Sequence, residues 1–116
     1  MRIRSKAWLV AAFSLVLALS AYAGHQNIAE LLRDPGRYDN KQVSITGWVV
    51  DSYGVMGNGA YLVDDGTGRM WVIAAGRGVP SRNARVEVTG NLHDTATIRG
   101  EGVGTVLHEK RRRRSD

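Results

Sequence analysis

Three large aromatic side chains occupy strand-like positions in the middle of this chain: Trp48, Tyr61 and Trp71, with Arg69 two residues before the last. Flat rings on adjacent strands can stack on bases or sugar rings, and a neighbouring guanidinium adds cation–π attraction. If Val43, Ile45, Gly47 and Val49 face a core, strand alternation puts Trp48 on the other side. The same rule sets Trp71 against Met70 and Val72, and Tyr61 against Leu62. Two loops would frame such a surface, residues 51–59 with Tyr53 and residues 91–102 with His93 and Arg99. The candidate ligand-binding set is therefore Trp48, Tyr53, Tyr61, Arg69, Trp71, His93 and Arg99. A slip of one residue would send every ring to the opposite face, so Trp48 and Trp71 stay open between surface and core.

Other chemistry lacks a pattern to carry it. Asp64-Asp65-Gly66-Thr67-Gly68 has no alternating oxygen ligands and no distal Glu, so it reads as hairpin chemistry rather than a cation loop. Gly100, Gly102 and Gly104 precede no helix that could present its N-terminus to a phosphate. His25, His93 and His108 are scattered over a terminus, a loop and a last strand, and His93-Asp94 is the only suggestive pair. No nucleophile–base arrangement, H-E-x-x-H or paired carboxylates occur. The expectation is a non-enzymatic binding module without metal or cofactor. The absence of Cys rules out a disulfide scaffold.

The elements that must position these residues are short. Strands are predicted at about 42–50, 59–64, 69–74, 84–90 and 103–109, each rich in β-branched or aromatic residues and bounded by Gly, Asn or Asp. Gly47 in mid-strand predicts a bulge or bend. A helix is predicted over 27–34, with Asn27 as N-cap, Glu30 three residues on, and Ile28, Leu31 and Leu32 as its apolar stripe. Pro35 should end it. Residues 75–83 are too few and too rich in Gly for another helix. The result is an all-β fold, a small five-stranded antiparallel barrel with a short N-terminal helix.

Both ends differ from this body. Residues 1–23 read as a signal peptide: Arg2, Arg4 and Lys6, an apolar run, then Ala21-Tyr22-Ala23. An uncleaved anchor is the alternative, although 17 residues from Ala7 to Ala23 sit at the short end of the roughly 17–25 that a spanning helix needs. Cleavage would place Gly24 at the mature N-terminus and the protein in the periplasm. Residues 24–109 form the domain, and 110–116 are expected to be a disordered basic tail, too charged to pack. Between 24 and 108 the chain holds 8 basic and 9 acidic residues, so its basicity belongs to the ends. That neutral body argues against a nucleic-acid groove.

The segments V-x-I-x-G-W-V, Y-L-V-D-D-G-T-G-R-M-W-V and R-V-E-V-T-G-N-L together resemble the OB-fold pattern over about 42–107. With the leader added, the chain resembles the exported bacterial OB-fold (BOF) proteins, small stress-linked periplasmic modules, and it is also similar to anticodon-type OB domains. The resemblance implies an OB-type barrel whose outer face and two loops meet a small ligand, an oligomer or an envelope protein partner. Single-stranded nucleic acid is the alternative. One departure stands out, since many OB domains carry a helix between the third and fourth strands.

Overall fold

The computed structural model describes residues 22–115 apart from 96, 99, 100 and 103. The leader therefore lies outside the described residues except at its end, and so does Arg99. The elements are β1 (Tyr22–His25), α1 (Ile28–Arg33), α2 (Pro35–Tyr38), β2 (Gln42–Val55), β3 (Asn58–Asp64), β4 (Arg69–Ala74), β5 (Arg85–His93), β6 (Thr97–Ile98), β7 (Glu101–Gly102) and β8 (Val106–Arg114). Five of them close a barrel in the order β2–β3–β4–β8–β5, with β5 pairing back onto β2. All its pairings are antiparallel except β4 with β8. The predicted all-β barrel with its terminal helix is what forms.

β2 makes closure possible. Its first half pairs with β5, Gln42 through Trp48, and its second half with β3, Trp48 through Val55. The chain must bend between the two partners, and Gly47 sits at that corner. A Cβ there would collide with the backbone carbonyl of Asp64. The bulge itself falls later, between Val49 and Asp51. It leaves Val50 unmatched and carries Asp51 to the outer side opposite Leu62. Val43, Ile45 and Val49 fill the interior with Val63, Met70, Val72, Val86, Val88, Leu92 and Leu107.

Several boundaries move. The loop predicted at 51–59 is mostly strand: Met56 and Gly57, both at positive φ, form a two-residue turn of the kind that matches strand twist. Tyr53 thus lies on a strand. The loop before β8 contains a small hairpin, β6 with β7. Pro35 ends α1 as predicted but also begins α2, because proline fits the first helical position. Of the predicted helical stripe, Ile28 and Leu31 are fully buried while Leu32 is exposed. In β1, Gly24 and His25 pair with Val43 and Ser44.

The largest correction concerns the C-terminus. Residues 110–114 continue β8 and pair with β5 as far as Val86 with Arg114. Charge alone predicts a solvated tail, but a strand turns long side chains outward while its backbone completes a ladder. Glu109 anchors this extension. Its side chain is fully buried, and its Oε1 accepts from the Tyr61 hydroxyl and from Arg112, the latter at 3.0 Å.

The Asp64–Gly68 segment is the hairpin turn expected, and it does more. Asp65 Oδ2 accepts from Ile28 N at 2.9 Å, and Thr67 Oγ1 accepts from Ala29 N at 3.1 Å. Asn27 caps Glu30 N at 2.8 Å. The first amides of α1 are thereby satisfied largely by the β3–β4 turn, which fixes the helix to the barrel end. Burial pushes the Asp65 carboxyl up, but the Thr67 hydroxyl and the amides of Ile28, Thr67 and Gly68 outweigh it and hold the group below its ordinary value. A depressed carboxyl stabilises the fold above its unfolded value of about 3.9 and loses that contribution as pH falls through its folded value. Asp65→Ala should therefore cost roughly 1–2 kcal/mol at neutral pH in urea melts. The gap from the parent should shrink below about pH 4; a gap unchanged at pH 2 would mean that the carboxylate is not what caps the helix.

Candidate functional site

The outer side of β2, β3 and β4 is organised in rows set by the register. Trp48, Asp64 and Arg69 make one row, and Asp51, Leu62 and Trp71 the next. Tyr53, Ala60 and Ile73 make the third. Trp48 is 48% exposed and Tyr53 is 44% exposed, whereas Trp71 is half-buried. The Tyr53 and Trp71 rings meet at 5.9 Å between centroids, tilted by 34°. Of the candidate residues, the barrel therefore brings Trp48, Tyr53, Arg69 and Trp71 onto one face.

His93 joins that face at its far side. Across the barrel Trp71 pairs with Val106, and Val106 with His93, so the imidazole lies two strand spacings away, on the order of 10 Å. It contacts His108 edge-on at 4.4 Å between centroids. Burial first, then the charge of His93, push the His108 imidazole below its ordinary value.

Tyr61 is the candidate that the structure removes. The hairpin pairs Asp64 with Arg69 across the intervening residues 65–68, which sets Leu62 opposite Trp71 and Tyr61 opposite Val72. Leu62 is thus the outward residue, and Tyr61 is fully buried. Burial, then the hydrogen bond and charge of Glu109, raise the Tyr61 phenol far above its ordinary range. The side chain is a core residue that holds β8.

Residues outside the candidate set tune the face. Arg82 donates to Asp51 Oδ1 at 2.7 Å, and the Tyr53 hydroxyl donates to Asp51 Oδ2 at 2.8 Å. These contacts, Arg82 first, hold the Asp51 carboxyl below its usual value. Arg69 donates to Asp64 Oδ2 at 3.0 Å. Arg85, opposite Trp48 on β5, places its guanidinium 4.7 Å from the indole centroid. The alternation of residues 84–90 already turns Arg85 outward, but its partner ring is a matter of register. The tyrosine is oriented by Asp51 and Trp71, the Arg69 and Arg82 guanidiniums are tethered to carboxylates, and Arg85 lies over the Trp48 ring. Among the described residues, no cluster of three or more His, Asp or Glu could hold a metal ion.

No family model and no curated protein matches the chain. Solved structures do. A chain designated an aspartyl-tRNA synthetase from Leishmania major Friedlin superposes with a TM-score of 0.61 at 15% identity, covering 87% of this chain and 25% of that one. Asparaginyl-tRNA synthetase from Pyrococcus horikoshii, complexed with asparaginyl-adenylate, gives 0.56 at 22% identity over 67% of this chain and 20% of that one. The OBody AM3L09 bound to hen egg-white lysozyme gives 0.52 at 18% identity over 66% and 82%. The fold is an OB barrel. Its likeness to the synthetases spans a quarter or less of their length. On this frame Trp48, Leu62 and Trp71 lie on the outer side of the first three barrel strands.

Proposed function

We propose that this OB barrel binds single-stranded nucleic acid, with Trp48, Tyr53 and Trp71 as a stacking platform and Arg69 and Arg85 at its edge. The observation that carries this reading is the outward placement of the three rings on adjoining rows, two of them in mutual contact. Base stacking tolerates sequence and is worth about 1–3 kcal/mol per base. Two structural neighbours are named for work on tRNA, which favours the same ligand class. The charge objection also weakens, because residues 110–114 belong to the folded barrel. Beyond position 23 the chain holds 13 basic against 11 acidic residues.

Urea melts combined with titration of a labelled (dT)12 test the assignment of the face. Trp71→Ala should cost about 1–2 kcal/mol of stability and Trp48→Ala less than about 1, since both rings are partly in solvent. Each should weaken (dT)12 by about 1–3 kcal/mol. Val72→Ala, fully buried, should lose about 2–3 kcal/mol of stability and leave affinity alone. Affinity unchanged in both Trp variants would remove the platform.

A second reading, a protein partner on the same face, is favoured by one observation. Asp51 and Asp64 stand among the rings and locally repel phosphate. The OBody neighbour, bound to lysozyme, supports that class. Protein docking would show little salt dependence, whereas phosphate binding weakens steeply with salt.

A further inference from the structure

The basic run on β8 is divided between two sides of the barrel wall. Lys110 is the unmatched residue of a bulge, so Glu109 faces Gly90 and Arg111 faces Thr89. From there Arg112 and Arg114 turn toward the barrel end, opposite Val88 and Val86, while Arg111 and Arg113 turn outward opposite Thr89 and Glu87. The inward Arg112 is bound to Glu109 and to the carbonyls of Arg77 and Gly78. The outward pair borders a groove of about 270 Å³ lined also by Glu87, Thr89 and part of Arg112. Glu87 is the carboxylate that answers them there, pairing with Arg113 at 3.0 Å.

This surface is continuous with the aromatic face. Thr46, Glu87 and Arg113 form one row across β2, β5 and β8, and the neighbouring row starts with Trp48 and Arg85. We infer that Arg111 and Arg113, with Arg85, form a phosphate-backbone track that carries a nucleic-acid strand from Trp48 across β5 onto β8. The inference rests on the reading of the aromatic face. Guanidinium groups held on a paired strand lose less freedom on binding than those of a mobile tail, and their fork suits phosphate oxygens. Glu87 lowers the net charge of the track but also holds Arg113 in place.

Two probes separate the track from the platform: labelled (dT)12, and an abasic dodecamer with the same phosphate chain and no bases. The protein should bind the abasic chain at low salt. Arg111→Gln/Arg113→Gln should weaken both probes at least tenfold and flatten the log–log salt slope by about 1.4, at roughly 0.7 for each phosphate no longer neutralised. Arg111→Lys/Arg113→Lys should restore most of that slope, which excludes a folding artefact. Trp48→Ala should weaken (dT)12 and spare the abasic chain. Abasic binding that is absent, or equal in the Gln variant, overturns the track; (dT)12 binding that still falls with Trp48→Ala then leaves the platform standing. Loss of the abasic chain in the Gln variant, with Trp48→Ala silent on (dT)12, keeps the track and removes the platform. Tighter binding to phosphatidylserine vesicles than to the abasic chain would assign the track to a membrane and overturn it as a nucleic-acid site.

Discussion

A chain ended at Glu109 is expected to lose most of its stability. The deleted segment pairs residue by residue with β5, from Thr89 with Arg111 to Val86 with Arg114, and Ser115 N donates to Arg85 O at 2.9 Å. Its loss strips one edge of β5 and uncovers Val86 and Val88, which are 3% and 0% exposed. It also takes Arg112 from Glu109, leaving a buried carboxylate with the Tyr61 hydroxyl but without its cation. Several ladder hydrogen bonds at about 1 kcal/mol each, with the uncompensated charge, give roughly 4–6 kcal/mol. That approaches the whole stability of many small domains, about 5–15 kcal/mol. Thermal melting should fall by more than about 15 °C or lose its cooperativity. A shift of one or two degrees would show that the segment is a dispensable tail. Glu109→Gln in the full chain is a companion measurement, since it keeps the backbone ladder and removes only the charge.

Gly47→Ala should be nearly as damaging for a different reason. The residue is buried at the bend of β2, where a Cβ would overlap the Asp64 carbonyl oxygen and crowd Val63. The obstacle is backbone in a paired strand, so it cannot rotate away as a side chain could. β3 would have to separate from β2 at the point where the barrel closes. A cost of roughly 3–5 kcal/mol is expected in urea melts, at the severe end for one methyl group. Gly36→Ala is the control: nothing lies within 4 Å of its added Cβ, and it should be neutral or slightly stabilising. A mild Gly47→Ala would mean that the strands can part there without loss.

Much of the site is legible from residue types. Trp48 beside the Val43, Ile45 and Val49 alternation is outward, and Trp71 stands against Met70 and Val72 in the core. Alternation alone misplaces Tyr61, because its side depends on how many residues the β3–β4 turn spans. Asp64, Asp65, Gly66 and Thr67 are all good turn formers, so composition does not fix where pairing stops. Once Asp64 pairs with Arg69, Tyr61 must share a face with Val72. Tyr53 illustrates the reverse case. Its Gly-rich surroundings suggest a loop, yet a two-residue turn at Met56-Gly57 extends both strands and fixes it on the outer face against Trp71.

Local sterics and period-two patterning are enough to specify the all-β class, the existence of the five barrel strands though not their ends, the helix cap at Asn27 and the bend at Gly47. Residues 110–114 take their conformation from long-range strand pairing. Read locally, consecutive basic residues repel one another and find no apolar partner, so they predict disorder. The barrel changes the balance by offering the unpaired edge of β5, a buried Glu109 for Arg112 and Glu87 for Arg113. None of these lies within the run itself. Two come from β5, and Glu109 acts only once Tyr61 is in the core. Pairing partners distant in sequence, and not composition, therefore fix which arginines line the outer wall.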